Sequence, residues 1–197
     1  MRNHFCFFIV LLVLLTGCTK ETVEAPPAEV PSTPAMTYVN LKDSAIQFGR
    51  LAYLDLDLDG TRDILFHTQL VGDHLNQQDK RQWLATTTLY TNLPVDAGEN
   101  LPVMNIDDVV PVQDFSGYSW GNGGVVLAQQ VIGMTGEPYW QGTWKQANRK
   151  YLPVQIVKGN LLFNGWVMLS FSTDSDKLIL HTAAISQQPN KDVKAGH

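Results

Sequence analysis

Cysteine is nearly absent from this chain. Only two of the 197 residues are cysteines, Cys6 and Cys18, and both precede residue 19. The rest of the chain therefore has no thiol for a disulfide, for a zinc–thiolate cluster or for a cysteine nucleophile. A domain that lacks these groups must be stabilised by its apolar core, by a metal held through oxygen ligands, or by both.

Long apolar runs and positive charge are also scarce. The one extended apolar run, Phe5 to Leu15, is too short to span a bilayer. The formal net charge is −5, and it becomes about −6 if residues 1–17 are removed, because Arg2 is the only charged residue among them. Such an acidic chain is a poor partner for nucleic acid and for anionic lipid. We therefore expect any membrane anchor to be a lipid.

The N-terminus has the pattern of a secretion signal. Arg2 precedes the apolar run, and residues 15–18 read L-T-G-C. This tetrapeptide resembles the bacterial lipobox, which implies cleavage before Cys18, acylation of its thiol and stable anchoring by several acyl chains. Thr19 after the cysteine implies delivery to the outer membrane, and the Lys-Glu pair at 20–21 is similar to surface-export signals of Bacteroidetes lipoproteins. The competing interpretation is an ordinary secretory signal that happens to contain a cysteine.

Composition divides the chain after the signal peptide (1–17) into three parts. Residues 18–37 combine proline, small and acidic residues with almost no apolar side chains, so we expect the lipidated Cys18 to be followed by a disordered tether. Residues 38–187 have the size of a single domain. Residues 188–197 are polar, and we expect a disordered tail.

Strand signals dominate residues 38–187. Tyr151 to Val157 and Leu161 to Phe171 flank a Lys-Gly-Asn turn and predict a hairpin, and Leu178 to Ser186 predicts a third strand. A helix is hard to place except as a short piece at Asn76 to Trp83. We therefore expect one all-β domain, an antiparallel, jelly-roll-like β-sandwich.

The segment at 55–63 reads D-L-D-L-D-G-T-R-D and is the most informative in the chain. Its carboxylates, Asp55, Asp57, Asp59 and Asp63, fall at loop positions 1, 3, 5 and 9, and Gly60 at position 6 allows a sharp turn. A hard cation such as Ca²⁺ takes six to eight oxygen ligands, and a loop of this pattern supplies most of them. Four like charges in nine residues repel one another unless a cation lies between them. The competing interpretation is a solvated acidic turn without metal.

The spacing distinguishes this segment from an EF-hand, which needs a glutamate at position 12, where this chain has Phe66. It resembles instead the calcium loops of FG-GAP and VCBS-type repeats. Because the motif occurs once, a single loop on a sandwich is favoured over a propeller. The metal ligands that the resemblance implies are the carboxylates of Asp55, Asp57, Asp59 and Asp63 and the carbonyl of Thr61.

A second resemblance lies near the C-terminal end. The segments K-Y-L at 150–152, N-G-W-V-M-L-S at 164–170 and L-I-L-H-T-A-A at 178–184 are similar to the ending of uncharacterised bacterial secreted β-proteins. Several of those proteins also have an acidic loop near their start. The chain departs from their pattern at Pro153, where they have glycine. The resemblance implies a calcium-stabilised β-sandwich and implies no catalytic residue.

Aromatic residues are concentrated in a stretch that is rich in glycine, asparagine and glutamine. Flat rings stack on sugars while amides bond hydroxyls, which favours a surface that binds glycan or protein. The competing interpretation is a set of core and edge aromatics, since tryptophan is usually largely buried. The candidate ligand-binding residues are Tyr118, Trp120, Tyr139, Trp140 and Trp144.

Signals of catalysis are weak. His67, His74 and His181 lie far apart, without the spacing of a zinc motif. Asp107 and Asp108 are adjacent and would point to opposite faces of a strand. We therefore expect a non-catalytic, calcium-stabilised outer-membrane lipoprotein with a structural or accessory role in the envelope. The alternative is a surface module that binds glycan or an envelope protein, and a hydrolase is the least favoured class.

Overall fold

A computed structural model describes residues 33–197. All the regular secondary structure in this range is β-strand. Within these residues no helix is long and apolar enough to cross a membrane. The strands in chain order are β1 (Met36–Gln47), β2 (Ala52–Leu54), β3 (Ile64–Asp73), β4 (Gln78–Thr87), β5 (Thr91–Val95), β6 (Val109–Val110), β7 (Ser119–Gly121), β8 (Gly124–Gly133), β9 (Tyr139–Gln141), β10 (Lys150–Lys158), β11 (Leu161–Ser172), β12 (Lys177–Ser186) and β13 (Val193–Lys194).

The strands form two larger sheets and one small one. One sheet has six strands in the order β1-β12-β11-β10-β5-β7, and the second has five in the order β2-β3-β4-β8-β9. The third sheet pairs β13 with β6, and all the pairings are antiparallel. Residues 33–197 form one compact unit, and the antiparallel β-sandwich predicted from the sequence is confirmed.

The main core lies between the two larger sheets. Trp83 of β4 is fully buried, packs edge-on against Phe171 of β11 at 5.5 Å between ring centroids, and donates its Nε1–H to the carbonyl of Ile46 in β1. The five-stranded sheet is thus bonded to the six-stranded sheet across the core. Alternating strand residues supply the remaining apolar side chains, as expected when each sheet has one face inside.

The β10–β11 hairpin and β12 follow the sequence prediction closely. Lys150 pairs with Leu169 and Lys158 with Leu161 across the hairpin. Strand β12 then adds antiparallel to β11. The short helix expected at Asn76 to Trp83 is wrong, because Gln78–Thr87 forms β4. A strand is favoured there because β4 lies between β3 and β8, whose ladders satisfy its backbone groups on both sides.

The C-terminal residues also differ from the expectation of a disordered tail. Val193 in β13 and Ala195 are buried, and they pack with Trp166 and Ala184 on the outer face of the six-stranded sheet. The backbone carbonyl of His197 accepts a hydrogen bond from Trp166 Nε1 at 3.1 Å. Val193 and Ala195, at alternate positions of this polar segment, pack against Trp166, which is only 3% exposed.

Candidate metal centre

The acidic loop connects β2 to β3 at one end of the five-stranded sheet. Leu54 and Leu56 are both buried in the main core, so the intervening Asp55 and the following Asp57 face away from it. Gly60 has a φ of 89° and no atom within 4 Å of where a side chain would begin. Its role is therefore conformational, because only glycine adopts this backbone without strain. Leu58, with a φ of 60° and an exposed side chain, takes a conformation that is costly for a branched residue.

Three of the four predicted carboxylates converge. Asp55, Asp57 and Asp63 each offer an oxygen, and these atoms all lie within 4.8 Å of one another. Oxygens that coordinate one Ca²⁺ at 2.3–2.6 Å are at most about 5 Å apart. The described residues therefore include one aspartate group that could hold a metal ion.

Asp63 is the buried member of this group. Its side chain accepts a hydrogen bond from the backbone N–H of Leu56 at 2.7 Å and a longer one, 3.3 Å, from Thr91 Oγ1. Its own carbonyl accepts from Thr88 N–H at 3.0 Å. Burial, and then the neighbouring charges of Asp57 and Asp55, raise the pKa of Asp63 to about 6, against the opposing effect of these hydrogen bonds. A carboxylate in this position favours either a proton or a cation beside it.

Lys158 is the only cation that contacts the loop carboxylates among residues 33–197. It ends β10, and its Nζ lies 2.6 Å from Asp57 Oδ2 and 3.2 Å from Asp59 Oδ2. The contact with Asp57 lacks hydrogen-bonding geometry, so this buried oxygen has an ion-pair contact and no hydrogen bond. Contact with Asp57 and, less strongly, with Asp59 raises the pKa of Lys158 above its usual value. One lysine faces four carboxylates, which leaves a net negative charge.

Asp59 and Thr61 stand outside the converging group. Asp59 Oδ1 accepts the backbone N–H of Thr61 at 2.8 Å, and its other oxygen contacts Lys158. The hydrogen bond from Thr61 is the main reason that the pKa of Asp59 lies below its usual value. Hydrogen bonds therefore dominate the pKa of Asp59, whereas at Asp63 burial outweighs the two hydrogen bonds to the side chain.

Backbone donors organise the loop before any metal binds. The two oxygens of Asp55 accept N–H bonds from Asp59 at 3.2 Å and Gly60 at 2.9 Å, and Asp57 Oδ1 accepts from Asp59 at 3.2 Å. These bonds fix the direction of the carboxylates and still leave lone pairs on each oxygen for a metal. A cavity of about 170 Å³ beside the loop is lined in part by Asp57, Lys158 and Gln187. It has room for several waters, which would complete the coordination of a hard cation.

The candidate aromatic residues lie in two separate groups. Tyr118 and Trp120 both stack near Phe115, at 5.7 and 6.1 Å between ring centroids. Trp140 lies in β9 of the other sheet, where its ring packs 5.1 Å from Phe171 at the edge of the main core. The sequence stretch therefore contributes to two different places.

The remaining two candidates differ in exposure. Tyr139 in β9 is half-exposed, whereas Trp144 is fully buried in the main core. The Nε1 atom of Trp144 has no hydrogen-bond partner among the described residues. Trp144 thus presents no ring face to a ligand at the surface. The proposed lipidation site, Cys18, lies outside the described residues.

Comparison with known proteins assigns no family to the chain. No family model, no curated protein and no solved structure matches it. The local spacing of the aspartates in the sequence indicated the converging carboxylates, but nothing in it indicated Lys158 or Thr91. Lys158 lies 99 residues from Asp59 along the chain and Thr91 lies 28 residues from Asp63, so no local spacing could have indicated either.

Proposed function

We propose that residues 55–63 bind one Ca²⁺ and that the ion stabilises one end of the β-sandwich of an outer-membrane lipoprotein anchored through Cys18. Asp55, Asp57 and Asp63 would supply carboxylate ligands. Asp59 and the carbonyl of Thr61 are further ligands that the spacing predicts, and Asp59 would first have to leave Lys158.

The convergence of three carboxylates around the buried Asp63 carries this proposal. An ordinary acidic surface turn spreads its charges into solvent, whereas this loop directs them at one another. One lysine does not neutralise four carboxylates, and a divalent cation would balance more of their negative charge. The choice of calcium over magnesium rests on the flexible, oxygen-rich ligand set, since Mg²⁺ demands near-ideal octahedral geometry.

The expected role of the ion is to join parts of the fold. Asp63 lies between Leu54, whose carbonyl accepts its N–H at 2.8 Å, and Thr88, which donates to its carbonyl. An ion held by Asp63 therefore couples the β2–β3 loop to the connection between β4 and β5. Because the unfolded chain does not form the site, binding free energy adds directly to folding free energy.

Support for the anchor comes from the sequence alone, in the L-T-G-C pattern that ends at Cys18. Replacing Cys18 with serine should move the protein from the membrane fraction to the soluble fraction and abolish labelling with a palmitate analogue. Retention of both signals in the variant would overturn the proposed anchor. Neither result bears on the metal site.

The metal site is tested by thermal unfolding of residues 19–197, stripped of metal and titrated with calcium, with magnesium as the control. We expect a saturable, calcium-selective rise in melting temperature that Asp57→Ala abolishes. Asp174→Ala provides a matched control, since it removes an exposed aspartate from another turn. An equal response in wild type and Asp57→Ala would refute the site.

A further inference from the structure

Three side chains from neighbouring strands of the six-stranded sheet form a continuous hydrogen-bonded chain. Ser170 Oγ lies 2.7 Å from His181 Nε2, and His181 Nδ1 lies 2.5 Å from Asp43 Oδ1. A carboxylate can only accept, so Nδ1 carries the proton that is shared with Asp43. Nε2 of the neutral ring is then the acceptor, and the Ser170 hydroxyl donates to it. This is the order of bonds that activates a serine nucleophile.

Irregularities in the sheet place these groups together. Asn40 and Ser44 of β1 pair with Thr182 and Leu180 of β12, so the bulge that contains Asp43 lies opposite the single residue His181. The pairing of β11 with β12 shifts at the same point, and His181 is the extra residue there. Asp43 adopts a φ of 52°, in the left-handed region that aspartate enters more readily than most residues other than glycine. Bulges of this kind redirect side chains and occur frequently beside active sites.

Ser170 faces away from the main core. Its neighbours Leu169 and Phe171 are both buried in that core, so Ser170 points to the outer face of the sheet, where it is partly exposed. The tail that covers the same face packs over Trp166, about 13 Å along β11 from Ser170. The serine is therefore accessible, whereas His181 is 8% exposed and is held between its two partners.

The backbone N–H of Arg149 donates to Ser170 Oγ at 2.9 Å, which fixes the oxygen and leaves its own proton directed at His181. A second histidine–hydroxyl pair, His67 Nε2 to Thr86 Oγ1 at 2.9 Å, has no hydrogen-bonded carboxylate among residues 33–197. The His67–Thr86 pair therefore serves as a control for the Ser170–His181 pair within the same domain.

From this geometry we propose that Ser170, His181 and Asp43 form a hydrolytic site for short-chain acyl esters, an activity that goes beyond calcium binding. Ser170 Oγ forms a bond to the ester carbonyl carbon while its proton passes to His181 Nε2. The bond from that carbon to the alcohol oxygen breaks, and the alcohol leaves with the proton.

Water completes the reaction. It attacks the acyl carbon and gives a proton to His181 Nε2, and Ser170 Oγ leaves with that proton. One ester and one water yield one carboxylic acid and one alcohol, without oxidation or reduction. Ser170 and His181 are the catalytic residues, and Asp43 is a positioning residue that acts through His181. The open sheet face suits a short acyl group whose alcohol part stays in solvent.

The test uses residues 19–197 with two probes, 4-nitrophenyl acetate for turnover and a fluorophosphonate for covalent labelling. We expect a fluorophosphonate adduct on Ser170 by peptide mass spectrometry and measurable acetate release. Ser170→Ala should abolish the adduct and lower kcat/KM at least about 100-fold. Ser172→Ala and Thr86→Ala are matched controls and should leave both signals unchanged.

Asp43→Asn separates positioning from folding, because Asp43 is exposed at the surface. We expect a fall in kcat of at least about tenfold with unchanged KM and an unchanged melting temperature. Labelling that is absent from Ser170, or turnover that persists in Ser170→Ala, would overturn the proposal. An equal kcat in wild type and Asp43→Asn would remove Asp43 from the site.

Discussion

Strand β3 has an aspartate at each end, and the two are in opposite environments. Asp73, its last residue, accepts hydrogen bonds from the backbone and side chain of Asn76, from Gln78 and from Lys80. These donors, Asn76 first, hold its pKa far below the usual value. Asp63, immediately before β3, is buried near two other carboxylates, and its pKa is raised to about 6.

The comparison shows what distinguishes a candidate metal centre from an acidic turn. Asp73 is partly exposed, with 16% of its side chain accessible, and its charge is satisfied by neutral donors and one lysine within seven residues. Asp63 has two hydrogen bonds to its side chain, and its nearest charged neighbours are of the same sign. A bound cation would therefore stabilise the fold much more beside Asp63 than beside Asp73.

The largest effect on the calcium response is expected when Asp63 is replaced by asparagine. Asp63→Asn removes a ligand and also relieves repulsion, so we expect a metal-free melting temperature at or above that of wild type and a lost calcium response. With calcium at 100 times its dissociation constant, the lost stabilisation is about 3 kcal/mol, or about 5–10 °C. Calorimetry with and without calcium measures both effects. A calcium response that survives in Asp63→Asn would remove this residue from the site.

Metal-free stability and the stabilisation by calcium should depend on pH in opposite ways, because Asp63 ionises over the range concerned. Its pKa is raised from 3.8 in the unfolded chain to about 6 in the fold. The folded state therefore binds more protons between these values, and metal-free stability falls as pH rises from about 4 to 6. Calcium needs the ionised carboxylate, so the stabilisation by calcium should grow over the same range.

We expect this pH effect to be on the order of 1 kcal/mol. Denaturant unfolding at pH 5 and pH 7, with and without calcium, measures it. Asp63→Asn is the control, because its metal-free stability should lack this component. A calcium response of the same size at both pH values, or one that is larger at pH 5, contradicts the assignment.

Replacing Lys158 should have a smaller effect of opposite sign on binding. Lys158→Gln removes the positive charge that contacts Asp57 and Asp59, so we expect calcium to bind a few times more tightly. The loss of a half-exposed ion pair should lower metal-free stability by less than about 1 kcal/mol. Titration calorimetry gives the affinity, with Lys145→Gln as a control in which a lysine is lost away from the loop. Weaker binding by Lys158→Gln would show that the lysine assists the site.

The smallest effect on calcium is expected at the other end of β3. Asp73→Asn removes the acceptor that organises the β3–β4 turn, so the melting temperature should fall slightly. The fall should be the same with and without calcium, as measured by differential scanning fluorimetry. A diminished calcium rise in this variant would mean that acidic turns in general, and not the loop at 55–63, respond to the ion.

The sequence predicted local features of this molecule and missed those that depend on distant residues. The spacing of the aspartates and of Gly60 at 55–63 predicted a loop whose carboxylates could hold a cation, and Asp55, Asp57 and Asp63 do converge. The hairpin around residues 158–160 followed from β-branched runs and a glycine turn. The tail at 188–197 was mispredicted because its stability comes from contact with Trp166, which the polar composition of the tail does not reveal.

Long-range contacts explain what spacing could not provide. Lys158 reaches the loop only after β10 is placed in the opposite sheet. Asp43 and His181 meet only because two bulges coincide, and they are 138 residues apart in sequence. The aromatic residues are close together in the sequence, but in the fold they lie in or beside two different sheets. Sheet topology and strand register, which local composition does not determine, decide these cases.

The metal site is best tested by a crystal structure of residues 19–197 grown in calcium. We expect one anomalous difference peak, 2.3–2.6 Å from carboxylate oxygens of Asp55, Asp57 and Asp63, with Lys158 displaced from Asp57. The same loop in crystals grown with a chelator should have the lysine in contact with Asp57. A calcium-soaked structure with no peak in the loop and an unmoved Lys158 would contradict the proposed site.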